Sequence, residues 1–176
     1  MGSRAIFLDR DGVLVVPEFR DGRSFAPKSL ADFRIYDGAA GAARRLKDAG
    51  YKLIVVTNQP DVGNGLVEKS TVEEMHRQLL ENVPVDAIEV CYHKQSDNCD
   101  CRKPRPGMLK RAAERLQIDC HRSIMVGDRA SDVEAGRAAG CRTVFVDLKY
   151  RETRPERPDY VVTSFEEAAD VILAMG

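Results

Sequence analysis

Two aspartates separated by one residue stand near the start of the chain, directly after a short apolar run. Asp9 and Asp11 follow residues 5–8, and Gly12 comes next. A strand ending at Leu8 places both carboxyl groups at the carboxyl edge of a sheet, where open α/β sheets bind ligands. Two carboxylates so close repel each other, and a bound Mg²⁺ allows both to stay ionised. One can then attack phosphorus while the other transfers a proton, so the motif indicates phosphoryl-transfer chemistry.

Two later segments carry groups that suit a phosphate. Thr57 and Asn58 follow the apolar run 54–56 and offer a hydroxyl and an amide at a predicted strand end. Such groups bind phosphate oxygens together with nearby backbone N–H donors. Arg102 and Lys103 precede a predicted helix. A lysine at this place neutralises both the phosphate and the nucleophilic carboxylate.

A further acidic segment completes the set. Asp128 follows a strand-like run and Gly127, and Asp132 lies four residues later. Mg²⁺ prefers oxygen ligands, so Asp128 is the candidate third acidic group of a magnesium site. Taken singly, each of these segments is typical of a turn, a helix cap or a solvated charge. All of them together, each at a predicted strand end or in the loop after it, favour a single site.

A cluster of cysteines and a histidine has the spacing of a metal site. Cys91 and His93 are followed after five residues by Cys99 and Cys101. Three thiolates and an imidazole match a closed tetrahedral Zn²⁺ site, and a closed site is structural. The alternative is a set of unpaired thiols beside a surface histidine. The loop ends directly before Arg102, so zinc would fix the position of the neighbouring cations.

The other thiols and imidazoles lie outside this spacing. We predict that Cys120 and Cys141 are small buried or edge thiols without a role, and that His76 and His121 are surface residues. The chain has five cysteines, which is an odd number, and it is long enough to bury an ample core. Both observations argue against a disulfide scaffold.

Length and composition predict one globular domain over residues 1–176, with the zinc loop at 91–101. The net charge of −1 gives no general reason to expect nucleic acid or an anionic membrane as partner. No apolar run approaches the roughly 20 residues that span a bilayer. The amino terminus runs straight into the first strand without a signal peptide, so we expect a cytoplasmic monomer acting on a small molecule.

Strand-like and helix-like segments alternate, which predicts an α/β fold with a doubly wound, mainly parallel, Rossmann-like sheet. The predicted strands are 5–8, 52–56, 87–91, 123–126, 143–146 and 160–162. The predicted helices are 38–49, 70–81, 106–116, 130–139 and 164–174, with Ser70 and Ser164 as capping residues.

No segment is long enough for an inserted cap domain, so the site should be open. Residues 15–36, residues 59–66 and the zinc loop are expected to wall it. Within the first of these segments, Glu18 and Arg20 are candidate substrate contacts.

The set Asp9-x-Asp11, Thr57, Lys103 and Asp128 resembles the haloacid dehalogenase (HAD) superfamily of phosphohydrolases over essentially the whole chain. The resemblance implies a Rossmann-like sheet and an aspartyl-phosphate formed on Asp9. It implies that Asp11 acts as general acid and then as base, and that Thr57 and Lys103 hold the phosphoryl group. Mg²⁺ is implied to bind Asp9, Asp128 and the backbone carbonyl of Asp11, with Asp132 orienting Lys103 or a water.

The zinc loop joined to these motifs resembles a narrower group, the heptose 1,7-bisphosphate phosphatases and the histidinol-phosphate phosphatases. It implies a phosphoric monoester hydrolase, with the 7-phosphate of D-glycero-D-manno-heptose 1,7-bisphosphate as the leading substrate. The resemblance implies that Arg102 and Arg129 contact the substrate at a second phosphate. Asn58 is a further candidate substrate contact, because its amide lies at a predicted strand end.

Three alternatives stay open at this point. Histidinol phosphate is supported by the short zinc loop. The segment from Gln59 to Gly65 departs from the loop expected in the heptose enzymes, which leaves the identity of the substrate open but not the reaction. A polynucleotide 3′-phosphatase is disfavoured by the near-neutral charge. A non-enzymatic, zinc-stabilised binding module is disfavoured because all the acidic motifs and Lys103 are present.

Overall fold

One parallel sheet forms the centre of the protein. The computed structural model describes residues 2–176, and its main sheet has six strands in the order β5-β4-β1-β6-β7-β8. A separate two-stranded hairpin, β2–β3, lies between the first two strands of the sheet in sequence. The strands are β1 (Ala5–Leu8), β2 (Glu18–Arg20), β3 (Arg23–Phe25), β4 (Lys52–Asn58), β5 (Ala87–Cys91), β6 (Ile124–Gly127), β7 (Arg142–Val146) and β8 (Tyr160–Val162).

The chain builds the sheet outward from β1 to β5 and then starts the second half at β6, beside β1. All five neighbouring pairs in this sheet are parallel. The arrangement confirms the predicted doubly wound fold, and its direction of winding reverses at β1 and β6. Open α/β sheets bind their ligands at such a reversal, outside the carboxyl ends of the strands.

Six α-helices lie between or after the strands of residues 2–176. They are α1 (Ala39–Asp48), α2 (Pro60–Gly63), α3 (Lys69–Asn82), α4 (Gly107–Leu116), α5 (Ala130–Ala139) and α6 (Phe165–Ala174). Ser164 caps α6 by accepting a hydrogen bond from the backbone N–H of Glu167, as predicted. Ser70 does not cap α3, because that helix begins one residue earlier and its N-cap is Glu68. Within residues 2–176, none of these helices has the length and apolar character needed to cross a membrane.

Both faces of the sheet are buried, as the nearly continuous apolar strands require. In β1 the side chains alternate between two cores: Ile6 and Leu8 pack with α1 and α6, and Ala5 and Phe7 pack with α4. All four residues are fully buried. The sheet edge next to Leu8 is therefore held from above and below, which gives the following residues a rigid base.

The hairpin β2–β3 was not predicted as strands, although residues 15–36 were expected to form part of the wall of the site. Its turn has positive φ at both Asp21 and Gly22, a combination that two-residue hairpin turns favour. The backbone N–H of Arg151 donates to the Gly22 carbonyl at 2.7 Å, so the loop after β7 holds the hairpin over the sheet edge. The described residues contain no inserted cap domain.

Candidate active site

The ends of β1 and β6 bring two predicted site residues together. The backbone N–H of Asp9 donates to the Val126 carbonyl at 2.9 Å, which continues the β1–β6 pairing one residue past β1. Asp128 follows the end of β6 by one residue. Both side chains therefore lie at the reversal point of the sheet, and their positions are fixed by strand backbone.

Lys103 is the buried cation of this edge. Its ammonium lies 2.9 Å from Asp9 Oδ1, 2.6 Å from Asp132 Oδ1 and 2.7 Å from the Val56 carbonyl oxygen. Burial alone lowers the pKa of Lys103, but Asp132 and Asp9 outweigh burial and raise it above its ordinary value. The lysine is therefore a permanent positive charge beside the first aspartate.

Asn58 positions the backbone of Lys103. Its Oδ1 accepts from the Lys103 N–H at 3.1 Å, and its Nδ2 donates to the Lys103 carbonyl at 3.1 Å. We predicted Asn58 as a substrate contact, but the structure commits its amide to this clamp. The peptide bond between Lys103 and Pro104 is cis.

Asp128 has an unusual environment for a carboxylate. Both of its oxygens are buried, and neither has a hydrogen-bond partner among the described residues. Burial, and then the charges of Asp9 and Asp132, raise the pKa of Asp128 well above its ordinary value. Gly12 has φ +88°, and a Cβ there would lie 2.1 Å from Asp128 Oδ2, so only glycine fits beside this carboxylate.

The donor set around Asp128 suits a hard divalent cation. One oxygen from each of Asp9, Asp128 and Asp132 lies within 4.8 Å of the others, and all three residues are buried. Clustered carboxylates without enough protons or cations are unfavourable, and Mg²⁺ binds such oxygens. Because the two oxygens of Asp128 have no hydrogen-bond partner among the described residues, they are available to bind Mg²⁺.

Both oxygens of Asp11 accept hydrogen bonds from side chains that were not predicted to contact it. Arg10 Nε donates to Asp11 Oδ1 at 3.1 Å, and Gln59 Nε2 donates to Asp11 Oδ2 at 3.0 Å. The same Gln59 amide nitrogen lies 2.9 Å from Thr57 Oγ1. Thr57 is buried beneath the cavity and lies outside its lining.

A cavity of about 510 Å³ opens above these groups. Four cations contribute to its wall: Arg23, Arg102, Lys103 and Arg129. Arg102 Nη1 is buried and has no hydrogen-bond partner among residues 2–176. The lining residues are Asp9, Asp11, Arg23, Ser24, Phe25, Ala26, Asn58, Gln59, Pro60, Asp61, Gln95, Arg102, Lys103, Pro104, Arg129, Ser131, Asp132 and Glu152.

The predicted walls are thus present, with one addition. Residues 23–26, residues 59–61 and Gln95 of the zinc loop line the cavity. Glu152, from the loop after β7, was not predicted. It accepts from the Ser24 N–H at 3.2 Å and lies 3.4 Å from Arg129 Nη1, so it ties Arg129 to the hairpin.

Glu18 and Arg20 do not line the cavity, contrary to the prediction. They lie 3.6 Å apart as an exposed ion pair, and the Arg20 guanidinium lies 4.4 Å from the centre of the Phe25 ring. Strand β3, which follows the tight turn, faces the cavity in place of β2. Arg23 is therefore the hairpin cation at the site, and no motif in the sequence marked it.

The cysteine cluster assembles as its spacing predicted. Cys91 Sγ lies 3.6 Å from Cys99 Sγ and 3.1 Å from Cys101 Sγ, and His93 Nδ1 lies 3.2 Å from Cys101 Sγ. A tetrahedron with Zn–S bonds of about 2.3 Å has edges of about 3.8 Å. The separations between these ligand atoms are close to that edge length, so the cluster can hold zinc. Arg102 directly follows the last cysteine, and the loop therefore forms part of the cavity wall.

His76 is buried, and the prediction that it lies on the surface was wrong. It is on the inner face of α3, with 7% of its surface exposed, and its Nε2 lies 3.2 Å from Arg10 Nη1. Burial, and then the nearby Arg10 charge, lower the pKa of His76 to about 3, so the ring is neutral. His121 is exposed, Cys141 is buried and Cys120 is half-buried, as predicted.

Comparison with known proteins identifies the family. A family model described as HAD-hydrolase-like matches residues 100–168. A D-glycero-beta-D-manno-heptose-1,7-bisphosphate 7-phosphatase from Pseudomonas aeruginosa is 36% identical over 151 residues, covering 83% of this chain and 82% of the relative. The enzyme of the same name from Pasteurella multocida is 34% identical, with 97% of each chain covered. This chain belongs to the HAD phosphatases.

Solved structures agree with that membership. A D,D-heptose 1,7-bisphosphate phosphatase from B. bronchiseptica, complexed with magnesium and phosphate, is 30% identical with a TM-score of 0.79. It covers 98% of this chain and 99% of its own. As a HAD phosphatase, the chain is a phosphoric monoester hydrolase. Asp9, Lys103 and Asp128 are buried at the carboxyl edge of its sheet.

Proposed function

We propose that this protein hydrolyses the 7-phosphate of D-glycero-D-manno-heptose 1,7-bisphosphate through an aspartyl-phosphate on Asp9. The relatives named for that activity match nearly the full chain at about one third identity. The cavity carries cations both at its base and along its wall, as a substrate with two phosphates requires.

The unpaired, buried carboxylate of Asp128 beside Asp9 and Lys103 is the observation that carries this proposal. A buried carboxylate without a donor is costly unless a cation binds it. We infer that Asp9, Asp128 and the backbone carbonyl of Asp11 hold Mg²⁺. When bound, Mg²⁺ supplies charge neutralisation for the phosphoryl oxygens.

Asp9 is arranged to act as the nucleophile. Its Oδ1 accepts from Lys103 Nζ and from the Arg10 N–H, and its Oδ2 accepts no hydrogen bond from the described residues. Oδ2 is thus the oxygen that attacks phosphorus, forming the new P–O bond as the bond to the sugar oxygen breaks. Lys103 neutralises the charge on the transferring group while Asn58 keeps its backbone in place.

Asp11 handles the protons of both steps. Asp11 lies two residues after Asp9 and lines the cavity, and 13% of its side chain is exposed. In the first step Asp11 acts in its protonated form and gives its carboxyl proton to the departing sugar oxygen. In the second it removes a proton from the water that attacks the aspartyl-phosphate, which returns Asp9 and Asp11 to their starting states.

The wall of the cavity suits the second phosphate. Arg102 offers a buried guanidinium nitrogen without a partner, and Arg23 and Arg129 lie on the same cavity. Arginine binds phosphate oxygens with a planar set of donors, so it fixes orientation as well as charge. We assign the 1-phosphate to this wall.

The cysteine cluster is proposed to bind a structural Zn²⁺ through Cys91, His93, Cys99 and Cys101. Four protein ligands close the coordination shell, so the metal has no open position for substrate. Its effect is to order the loop that carries Arg102 and Lys103.

Phosphate release from a substrate panel tests the proposal. The panel contains both anomers of the heptose 1,7-bisphosphate, fructose 1,6-bisphosphate and histidinol phosphate, each with Mg²⁺. We expect the highest kcat/KM for a heptose bisphosphate, and loss of turnover in Asp9→Asn with the fold retained by circular dichroism. A preference for histidinol phosphate would overturn the substrate assignment, and an active Asp9→Asn would overturn the nucleophile.

A further inference from the structure

Arg10, the residue between the two aspartates, is fully buried. Its exposed fraction is 0%, and it is the largest fully buried side chain among the described residues. Arginine is rarely buried without an ion partner, because desolvation of the guanidinium is costly. The variable position between the two aspartates of the motif therefore holds a buried positive charge. The contacts of Arg10 indicate the role of this charge.

Arg10 faces Asp11 with two nitrogens. Nε donates to Asp11 Oδ1 at 3.1 Å, and Nη2 lies 3.0 Å from the same oxygen. The other carboxylate oxygen accepts from Gln59. The Asp11 carboxylate is therefore held from both sides, and its rotation about χ2 is restricted.

The far side of the guanidinium is anchored to helix α3. Nη1 lies 3.2 Å from His76 Nε2 and 3.8 Å from Met75 Sδ. Because the His76 ring is neutral, Nε2 can accept this hydrogen bond while the proton sits on Nδ1. The Phe33 ring covers the guanidinium, with Cζ 5.7 Å from the ring centre. Arg10 is thereby fixed by groups that take no part in the phosphate cavity.

We propose that Arg10 is a positioning residue that holds Asp11 in the orientation for proton transfer, and that His76 of α3 fixes Arg10 for this purpose. The inference rests on the proposed function, because it takes Asp11 as the proton donor to the leaving group. Neither Arg10 nor His76 lines the cavity, so both act through Asp11 and not on the substrate.

Leaving-group chemistry separates this role from a purely structural one. A sugar alkoxide is a poor leaving group and needs a proton from Asp11, whereas nitrophenolate leaves without one. A misplaced Asp11 therefore slows cleavage of a sugar phosphate more than cleavage of p-nitrophenyl phosphate. Simple loss of folded enzyme slows both equally, so the ratio of the two rates is independent of the folded fraction.

The experiment compares wild type, Arg10→Met and Arg10→Lys with heptose 1,7-bisphosphate and p-nitrophenyl phosphate. First-turnover rates with enzyme in excess are measured, because Asp11 also acts as base in the second step for both substrates. We expect Arg10→Met to lower the rate ratio of sugar phosphate to nitrophenyl phosphate by at least about tenfold, within the range of a general acid. Arg10→Lys should restore part of that ratio. An unchanged ratio in Arg10→Met would overturn the proposal.

Three further variants test how the effect reaches the site. If Arg10 acts through Asp11, the double variant Arg10→Met/Asp11→Asn should have the same rate ratio as Asp11→Asn alone. His76→Gln keeps an acceptor for Arg10 and His76→Leu removes it, so only the leucine variant should lower the ratio. A further fall in the double variant, or equal ratios in the two His76 variants, would contradict the proposed link.

Failure of the proposed function gives a different result. If Asp11 is not the proton donor, Asp11→Asn itself leaves the ratio unchanged. If Asp11 is the donor and only the inference about Arg10 is wrong, Asp11→Asn lowers the ratio while Arg10→Met does not.

Discussion

The sheet edge and the cavity wall of this protein are built on different principles. At the edge, Asp9, Lys103 and Asp128 are buried, and their positions follow from the strands β1, β4 and β6. Along the wall, Arg23 begins strand β3 and Arg129 directly precedes helix α5, and a few polar contacts tie these two elements together. The edge excludes water from opposing charges, whereas the wall keeps its charges within reach of solvent.

This difference has a physical reason. Charges act most strongly on a reacting phosphoryl group when water is excluded, which requires a rigid, buried setting. Capture of a charged substrate requires accessible donors instead. Substitutions at the edge should therefore change stability and kcat together, whereas substitutions in the wall should change KM.

Replacing Lys103 by methionine should have the largest effect and tests the coupling of stability and catalysis at the edge. The variant leaves Asp9 and Asp132 buried without their cation, which should lower the free energy of unfolding by about 3–5 kcal/mol. We expect activity to fall by at least about 10³-fold. Chemical denaturation and phosphate release measure the two quantities.

The double variant Lys103→Met/Asp132→Asn is the control for that experiment. Removing one of the unpaired carboxylates should restore part of the stability without restoring activity. Recovery of activity in the double variant would show that Lys103 acts only through the fold.

The zinc loop lies next to both the sheet edge and the cavity wall. Removing one of its metal ligands tests whether the loop affects catalysis at the edge or substrate binding at the wall. Cys101→Ser should lower zinc content and reduce kcat/KM by about 10- to 100-fold, because the loop carries Arg102 and Lys103. Metal analysis and thermal unfolding, with and without a zinc chelator, measure the outcome. Cys120→Ser lies outside the cluster and should match wild type. Full activity in a zinc-free Cys101→Ser protein would refute the ordering role.

Arg102→Met and Arg23→Met test the wall alone. Each removes a charged donor to the distal phosphate, so KM for the bisphosphate should rise by about 10- to 100-fold. KM for the heptose 7-phosphate, which lacks the distal phosphate, should change little, and so should the melting temperature. Arg20→Met is the matched control for Arg23, since it lies on the same hairpin outside the cavity. Equal losses on monophosphate and bisphosphate would place these arginines elsewhere in the mechanism.

The smallest expected effect is the dependence of magnesium binding on pH. Burial, with Asp9 and Asp132 beside it, raises the pKa of Asp128, so ionising this residue destabilises the metal-free fold as pH rises. Mg²⁺ relieves that penalty. The rise in melting temperature on adding Mg²⁺ should therefore be larger at about pH 8 than at about pH 5.5. In Asp128→Asn, the rise and its pH dependence should both shrink; an unchanged dependence would point to another group.

The strands of the main sheet were predictable from sequence, since their apolar runs are bounded by glycine and polar residues. Predicted and observed bounds agree within one residue for each, except that β4 runs on to Asn58. The hairpin β2–β3 was not predictable as strands, because each of its strands has only three residues, two of them charged or polar, and its stability comes from contacts with the loop after β7.

The sequence by itself determined the doubly wound fold and the acidic, basic and cysteine motifs, because each is a local pattern of residue type and spacing. Only the tertiary structure decided how Arg10, Gln59 and Asn58 are used, since each has a partner distant in sequence, respectively His76, Asp11 and Lys103. Nothing in the local sequence indicates that an arginine between two aspartates is buried. It is buried because α3 packs over it and brings His76 within 3.2 Å, 66 residues along the chain.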